Sequence, residues 1–88
     1  MDPKYIMVTI DGITFKKSKT KNKKYDAFKD GKKLASFGDK RYLHYKDKIG
    51  MYSSLNHLDK DRRRRYYARH GRQATRYSAK YFSHKYLW

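Results

Sequence analysis

Alternating apolar and polar residues fill the first part of the chain, and helical spacing appears only in the last third. Tyr5-Ile-Met-Val-Thr-Ile10 is rich in β-branched residues and places Ile6, Val8 and Ile10 on one side of a strand. Asp11-Gly12 is a tight-turn dipeptide, and Ile13-Thr-Phe15 resumes the alternation, so the segment predicts a hairpin. Tyr25-Asp-Ala-Phe-Lys29, Asp30-Gly31 and Lys32-Lys-Leu-Ala-Ser-Phe37 repeat the arrangement, with Gly38 marking its end. The expected product is a small antiparallel sheet of three or four strands, apolar on one face through residues such as Ile6, Val8, Phe28 and Phe37. Between the hairpins, Lys16-Lys-Ser-Lys-Thr-Lys-Asn-Lys-Lys24 carries six lysines in nine residues and offers nothing to bury. It reads as a mobile solvated loop or as a flexible tether in which Lys16, Lys17, Lys19 and Lys21 act as point charges toward phosphate or carboxylate.

Beyond residue 40 the pattern changes. Arg41 to Asp47 and Met51 to His57, separated by Gly50, have no decisive period and predict loop or short helical turns. Asp59 to Gly71 has a complete set of helix signals: Asp59 as N-cap, Asp61 in the first turn, Arg69 and His70 in the last, and Gly71 as terminator. At 100° per residue, Tyr66 and His70 share a face flanked by Arg62 and Arg63, opposite Asp61, Arg64 and Ala68. The run Arg62, Arg63, Arg64 and Arg65 therefore fans around the axis and cannot form a single stripe. Two readings follow. Asp59 with Arg63 and Asp61 with Arg65 make i,i+4 pairs worth about 0.2–0.5 kcal/mol each, the rest being solvated surface; or the helix is wedged among several acidic partners. Arg72 to Tyr77, including Arg76, then leads to Ser78, an N-cap for Ala79 to Trp88, where Tyr81, Phe82, Lys85 and Tyr86 follow helical spacing. Tyr86-Leu-Trp88 should dock on the sheet or on another molecule.

Composition sharpens this α+β expectation, a small sheet of two hairpins followed by two short helices in one domain over 1–88. Ile, Leu, Val and Phe total 14 of 88 residues beside a net charge of +16, a balance leaning toward disorder, but ten Tyr and one Trp supply aromatic area for a core. Residues 1–39 hold ten basic and five acidic side chains, net +5, and residues 40–88 hold fourteen and three, net +11. All eight Arg and eight of the ten Tyr fall in residues 41–88. Lysine dominates the hairpin half, whereas the second half has the residue types enriched where proteins meet partners. The charge predicts a polyanionic partner: nucleic acid, an acidic protein surface or an anionic membrane.

Several function classes lack their signatures. With no Cys there are no disulfides or thiolate metal sites. No apolar run approaches the roughly 18 residues of a membrane span, Met1-Asp-Pro-Lys4 has no signal-peptide core, and the Arg helix has too narrow an apolar face to anchor in a bilayer. The expectation is a soluble protein held inside a cell or a particle. His44, His57, His70 and His84 near Asp47, Asp59 and Asp61 suggest a metal or nuclease centre, yet there is no Glu and no zinc-protease His pair. Asn56-His57 is too little for a His-Asn-His nuclease, and Gly50-Met-Tyr52 lacks the partner motif, Arg and Glu of the Gly-Ile-Tyr nucleases. Single, scattered Gly residues make no phosphate loop. No catalytic residue, metal, cofactor or small-molecule substrate is expected; Asp47 and Asp59 read as caps or Arg partners and His70 as a helix-terminal donor.

Phe37-Gly38, Tyr45-Lys-Asp47 or His57-Leu-Asp59, the Arg run ending in Tyr67-Ala-Arg-His70, Ser78-Ala-Lys-Tyr-Phe-Ser83 and Leu87-Trp88 carry a resemblance. With these segments the chain resembles an uncharacterised family of small basic proteins encoded by large double-stranded DNA viruses and some phages. The similarity runs from about Lys23 onward, with a shorter connection around Arg72 to Thr75. It implies a viral origin and no enzyme activity and supplies no molecular role; the expected location is the virion and, during assembly, the host cell interior. The expected function is a minor capsid or cement component contacting larger capsid proteins through Arg62–Arg65, Arg69, Arg72 and Arg76, with Tyr66, Tyr67, Tyr81, Phe82, Tyr86 and Trp88 as docking aromatics. The alternative is a sequence-independent DNA-binding protein packaged with the genome.

Overall fold

The structure, a computed structural model, describes residues 6–88. Four strands, β1 (Val8–Ile10), β2 (Ile13–Lys17), β3 (Lys23–Lys29) and β4 (Lys32–Asp39), form one antiparallel sheet in sequential order. Two helices follow, α1 (Lys60–His70) and α2 (Ala79–Tyr86), giving the expected α+β arrangement. Tyr5 and the Met1–Lys4 segment of the sequence reading lie outside the described residues.

Both Asp-Gly pairs make two-residue hairpins, joining Ile10 to Ile13 and Lys29 to Lys32. Asp11 and Gly12 have φ of 52° and 78°, and Asp30 and Gly31 have 51° and 77°. This double left-handed geometry matches the natural twist of paired strands and excludes most other residues.

The core face carries Ile13, Phe15, Tyr25, Ala27 and Phe37, all buried. Phe28 is not among them, contrary to expectation. Pairing of Phe15 with Ala27 and of Thr14 with Phe28 puts Phe28 on the outer face, where the Lys16 ammonium lies 4.7 Å from its ring centroid. Ile6 precedes β1 and is exposed. The lysine run also differs from the expected single loop, because β2 continues through Lys17 and β3 begins at Lys23, leaving only residues 18–22 as the turn. Within it Lys24 is buried, its aliphatic stem packing near Gly38.

Helix α2 lays Phe82 and Tyr86, one turn apart, on this face, followed by Leu87. Phe15 is the hub: its ring centroid is 5.8 Å from Phe82, 5.9 Å from Phe37 and 4.7 Å from Tyr86, in edge-on geometries favoured by the ring quadrupole. Ser78 caps α2 by accepting from Tyr81 N–H at 3.2 Å. The loop after β4 closes the far end, where Lys46 and Lys48 N–H donate to the Leu87 and Tyr86 carbonyls at 3.0 and 2.9 Å. Those are carbonyls that a helix end leaves without intrahelical partners.

A buried polar network holds that loop against β3. Lys24 Nζ donates to the Tyr42 carbonyl at 2.9 Å and to His44 Nδ1 at 2.8 Å. His44 is therefore neutral with its proton on Nε2, which donates to Asn56 Oδ1 at 2.6 Å. Asn56 Oδ1 also accepts from Asp47 N–H at 2.7 Å. The Asp47 carboxylate accepts from the Tyr25 hydroxyl at 2.5 Å and from Ile49 and Tyr52 N–H at 2.8 and 2.7 Å. Asp47 is thus a backbone cap, as expected, but its side-chain partner is a tyrosine rather than an arginine. Burial pulls the Lys24 amine down to about 8, against the opposing charges of Asp47 and Asp39. Burial, reinforced by the hydrogen bond to Asp47, pushes the Tyr25 hydroxyl far above its ordinary value.

Candidate anion-binding cleft

Asp59 caps α1 as expected, accepting from Asp61 and Arg62 N–H at 2.9 and 3.2 Å, and Gly71 ends it by donating to the Tyr67 carbonyl at 2.8 Å. The expected i,i+4 ion pairs are replaced by i,i+3 pairs, Asp61 with Arg64 at 2.6 Å and Asp59 with Arg62 at 3.8 Å. A capping carboxylate is held at the helix start, so the nearer arginine meets it first.

α1 reaches the rest of the molecule through rings. Tyr66 stacks on Trp88 with centroids 4.3 Å apart and planes within 4°. The Tyr66 hydroxyl donates to His84 Nδ1 at 2.8 Å, and the Tyr67 hydroxyl donates to the His84 carbonyl at 3.1 Å. His84 Nε2–H in turn donates to the Gly71 carbonyl at 2.9 Å, which fixes the neutral tautomer. His84, considered in the sequence only as a metal or nuclease ligand, thus takes the helix-end donor role expected of His70, whose ring lies against Tyr66 at 4.6 Å. Burial pushes the Tyr66 hydroxyl up to about 12.

Between α1, α2 and the ends of β3 and β4 runs an open cleft of about 1040 Å³. Its walls carry Lys23, Lys24, Arg41, Arg62, Arg69 and Lys80 against one carboxylate, Asp39. Asp39 is already engaged, because Arg41 forks onto it at 2.7 and 3.0 Å and holds its carboxyl down to about 2. Gly38, Leu87 and Trp88 form an apolar floor. Segments distant in sequence meet here, namely Phe37-Gly38, His57, Arg62, Arg69-His70 and Leu87-Trp88. The run of four arginines does fan out, yet Arg62, Arg65 and Arg69 line up on one side of α1 around Trp88. Spacing of three and four residues achieves what consecutive positions cannot.

The remaining sequence-predicted residues fall elsewhere. Arg63, Arg72 and Arg76 cover the rings of Tyr45, Tyr67 and Tyr77 at 4.6–4.8 Å, and Arg64 is tied to Asp61. Lys17 lies 5.0 Å from the Tyr52 ring, while Lys19 and Lys21 are exposed in the turn. Of the expected docking aromatics, Phe82 and Tyr86 belong to the core and present no surface to a partner. Tyr67 and Tyr81 are half-buried against α2 residues. Lys23, Arg41, Tyr42 and Lys80 were not singled out by sequence, since each is an ordinary basic or aromatic residue until the fold gathers them.

The folded state is expected to lose stability in mild acid. Burial holds His44, His57 and His84 below the usual imidazole range, with Lys24, Arg62 and Lys80 respectively adding repulsion. The folded state then binds fewer protons than the unfolded chain, so their contribution is complete above about pH 6.5 and is lost as pH falls through the folded values. Thermal melts should show a falling midpoint between pH 7 and 5. Asp26, Asp39 and Asp59, all lowered, act in the same direction only below about pH 4. A flat profile from pH 7 to 5 would contradict the neutral-histidine assignments.

Fold and cleft together define a small basic α+β protein with a cationic, aromatic-floored groove. Among the described residues no cluster of side chains is placed to hold a metal ion, and no helix is long and apolar enough to cross a membrane. Comparison with family models, curated proteins and solved structures found no match.

Proposed function

We propose that this chain is a non-enzymatic structural component of a virus particle, a minor capsid or cement protein that docks its Arg/Tyr-rich half on acidic surfaces of neighbouring subunits. The observation that carries the docking role is the cleft: guanidinium and ammonium groups from β3, the loop after β4, α1 and α2 converge on one trough in which the one lining carboxylate among the described residues, Asp39, is neutralised by Arg41. Guanidinium forks pair bidentately with carboxylate or phosphate groups, a geometry that a diffuse charge cloud does not need. The viral setting rests on the sequence resemblance. A second reading, sequence-independent DNA binding alongside the genome, draws on the net charge of +16 and the exposed Lys19 and Lys21.

Carbodiimide treatment of purified particles separates these readings, because it joins lysines directly to carboxylates in contact. Lys23 and Lys80, which both line the cleft, should be joined to Asp or Glu of a larger shell subunit. Release of the protein by nuclease, with no such cross-link, would overturn the docking reading in favour of genome packaging.

A further inference from the structure

We infer that the cleft is a trough for an extended acidic segment of a partner protein, with one carboxylate held by His57 and Arg62, a second met by Arg69, and apolar side chains laid beside Gly38 and Trp88. This rests on the docking reading above and names its occupant. Three features point away from nucleic acid. A cleft of about 1040 Å³ matches a short peptide or a drug-sized ligand, and a duplex could reach only its rim. Tyr66 already covers one face of the Trp88 indole at 4.3 Å, and the tilted His57 ring, 5.3 Å away, crowds a base that would stack there. Tyr42 is the exposed ring on the rim, and Arg41 covers it at 5.6 Å, whereas single-strand binders offer successive free aromatic faces.

The anchor is built from an unmet donor and two guanidinium groups. His57 Nδ1 accepts from Asp59 N–H at 2.9 Å, which places the ring proton on Nε2. That Nε2–H is buried and has no hydrogen-bond partner among the described residues. An oxyanion beside Arg62 supplies the acceptor it lacks, and burying a polar group without a partner is otherwise unfavourable. Arg62 and Arg69 are seven residues apart on α1, about 10 Å along its axis, with Arg65 between them on the same side. This wall suits a segment bearing more than one carboxylate, and the uncharged floor suits the apolar residues between them.

Trp88 is the single tryptophan and lies in the trough, so its emission reports occupancy. The full-length protein would be titrated with an eight-residue peptide of Glu and Val, with single-stranded oligothymidylate and with inorganic phosphate, and labelled oligothymidylate anisotropy would be followed in parallel. The peptide should shift Trp88 emission saturably; oligothymidylate should bind, as +16 requires, without moving it. Arg62→Lys and Arg69→Lys keep the charge and lie on exposed positions, and each should weaken the peptide about tenfold, roughly 1.4 kcal/mol, while changing oligothymidylate affinity less than about twofold. Unchanged melting midpoints would show that these variants are folded. An emission shift from oligothymidylate rather than peptide, equal peptide affinity in the Lys variants, or saturation by inorganic phosphate alone would each overturn the inference. Peptide binding without a shell cross-link in particles would overturn the particle reading and leave the trough intact; a cross-link without peptide binding would do the reverse.

Discussion

Gly38→Ala is expected to destabilise the protein by about 2–4 kcal/mol and to lower its melting midpoint by roughly 10–30 °C, more than any other alanine substitution at a glycine of this chain. A Cβ there would stand 2.9 Å from Leu87 Cδ1 and 3.0 Å from Lys24 Cδ, on a backbone with φ of +75°. Both neighbours are buried and cannot swing into solvent. Gly12 has nearly the same φ, +78°, with nothing within 4 Å of a built Cβ. Gly12→Ala therefore isolates the backbone strain, about 1 kcal/mol, and the difference between the two variants measures packing. A shared midpoint would mean that α2 can lift from the sheet at no cost. Because Leu87 precedes Trp88, lifting it should also loosen the stack on Tyr66 and red-shift Trp88 emission, tying the glycine to the cleft as well as to the core.

Asp47→Ala is the second large effect, expected at about 3–5 kcal/mol. Three donors, the Tyr25 hydroxyl and the Ile49 and Tyr52 amides, lose their acceptor together, and an unsatisfied buried donor costs about 1–3 kcal/mol. The sum is not additive, since the loop can relax toward water. Asp47→Asn retains one acceptor oxygen but sets an amide against the remaining donors, so its loss should be about half as large. Tyr25→Phe should cost about 1–2 kcal/mol, because it orphans the Met51 amide, which donates to the Tyr25 hydroxyl at 3.0 Å. Urea melts of the three variants should preserve that order. If Asp47→Asn equals Asp47→Ala, charge rather than hydrogen bonding holds the loop, and the balancing partner is the Lys24 ammonium beside it.

Local chemistry alone determined much of this molecule. Both Asp-Gly hairpins, the Asp59 and Ser78 caps, the Gly71 stop and the pairing of Phe82 with Tyr86 depend on residues within a turn or two of one another. There the backbone preference of one residue and the side chain of the next decide the outcome, so the α+β order could be read directly. The tertiary structure decided what local rules leave undetermined. Phe28 faces outward because the register across β2 sets its side of the sheet. Lys24 is buried because His44, twenty residues on, and the Tyr42 carbonyl receive its ammonium. Tyr66 meets His84 across eighteen residues, and that contact holds α1 where Arg62 and Arg69 line the cleft together with Lys23 and Lys80. A basic residue reads the same in sequence whether its charge is solvated, stacked on a tyrosine or aimed into a groove, because what differs is the distant chain brought beside it by burial of the aromatic core.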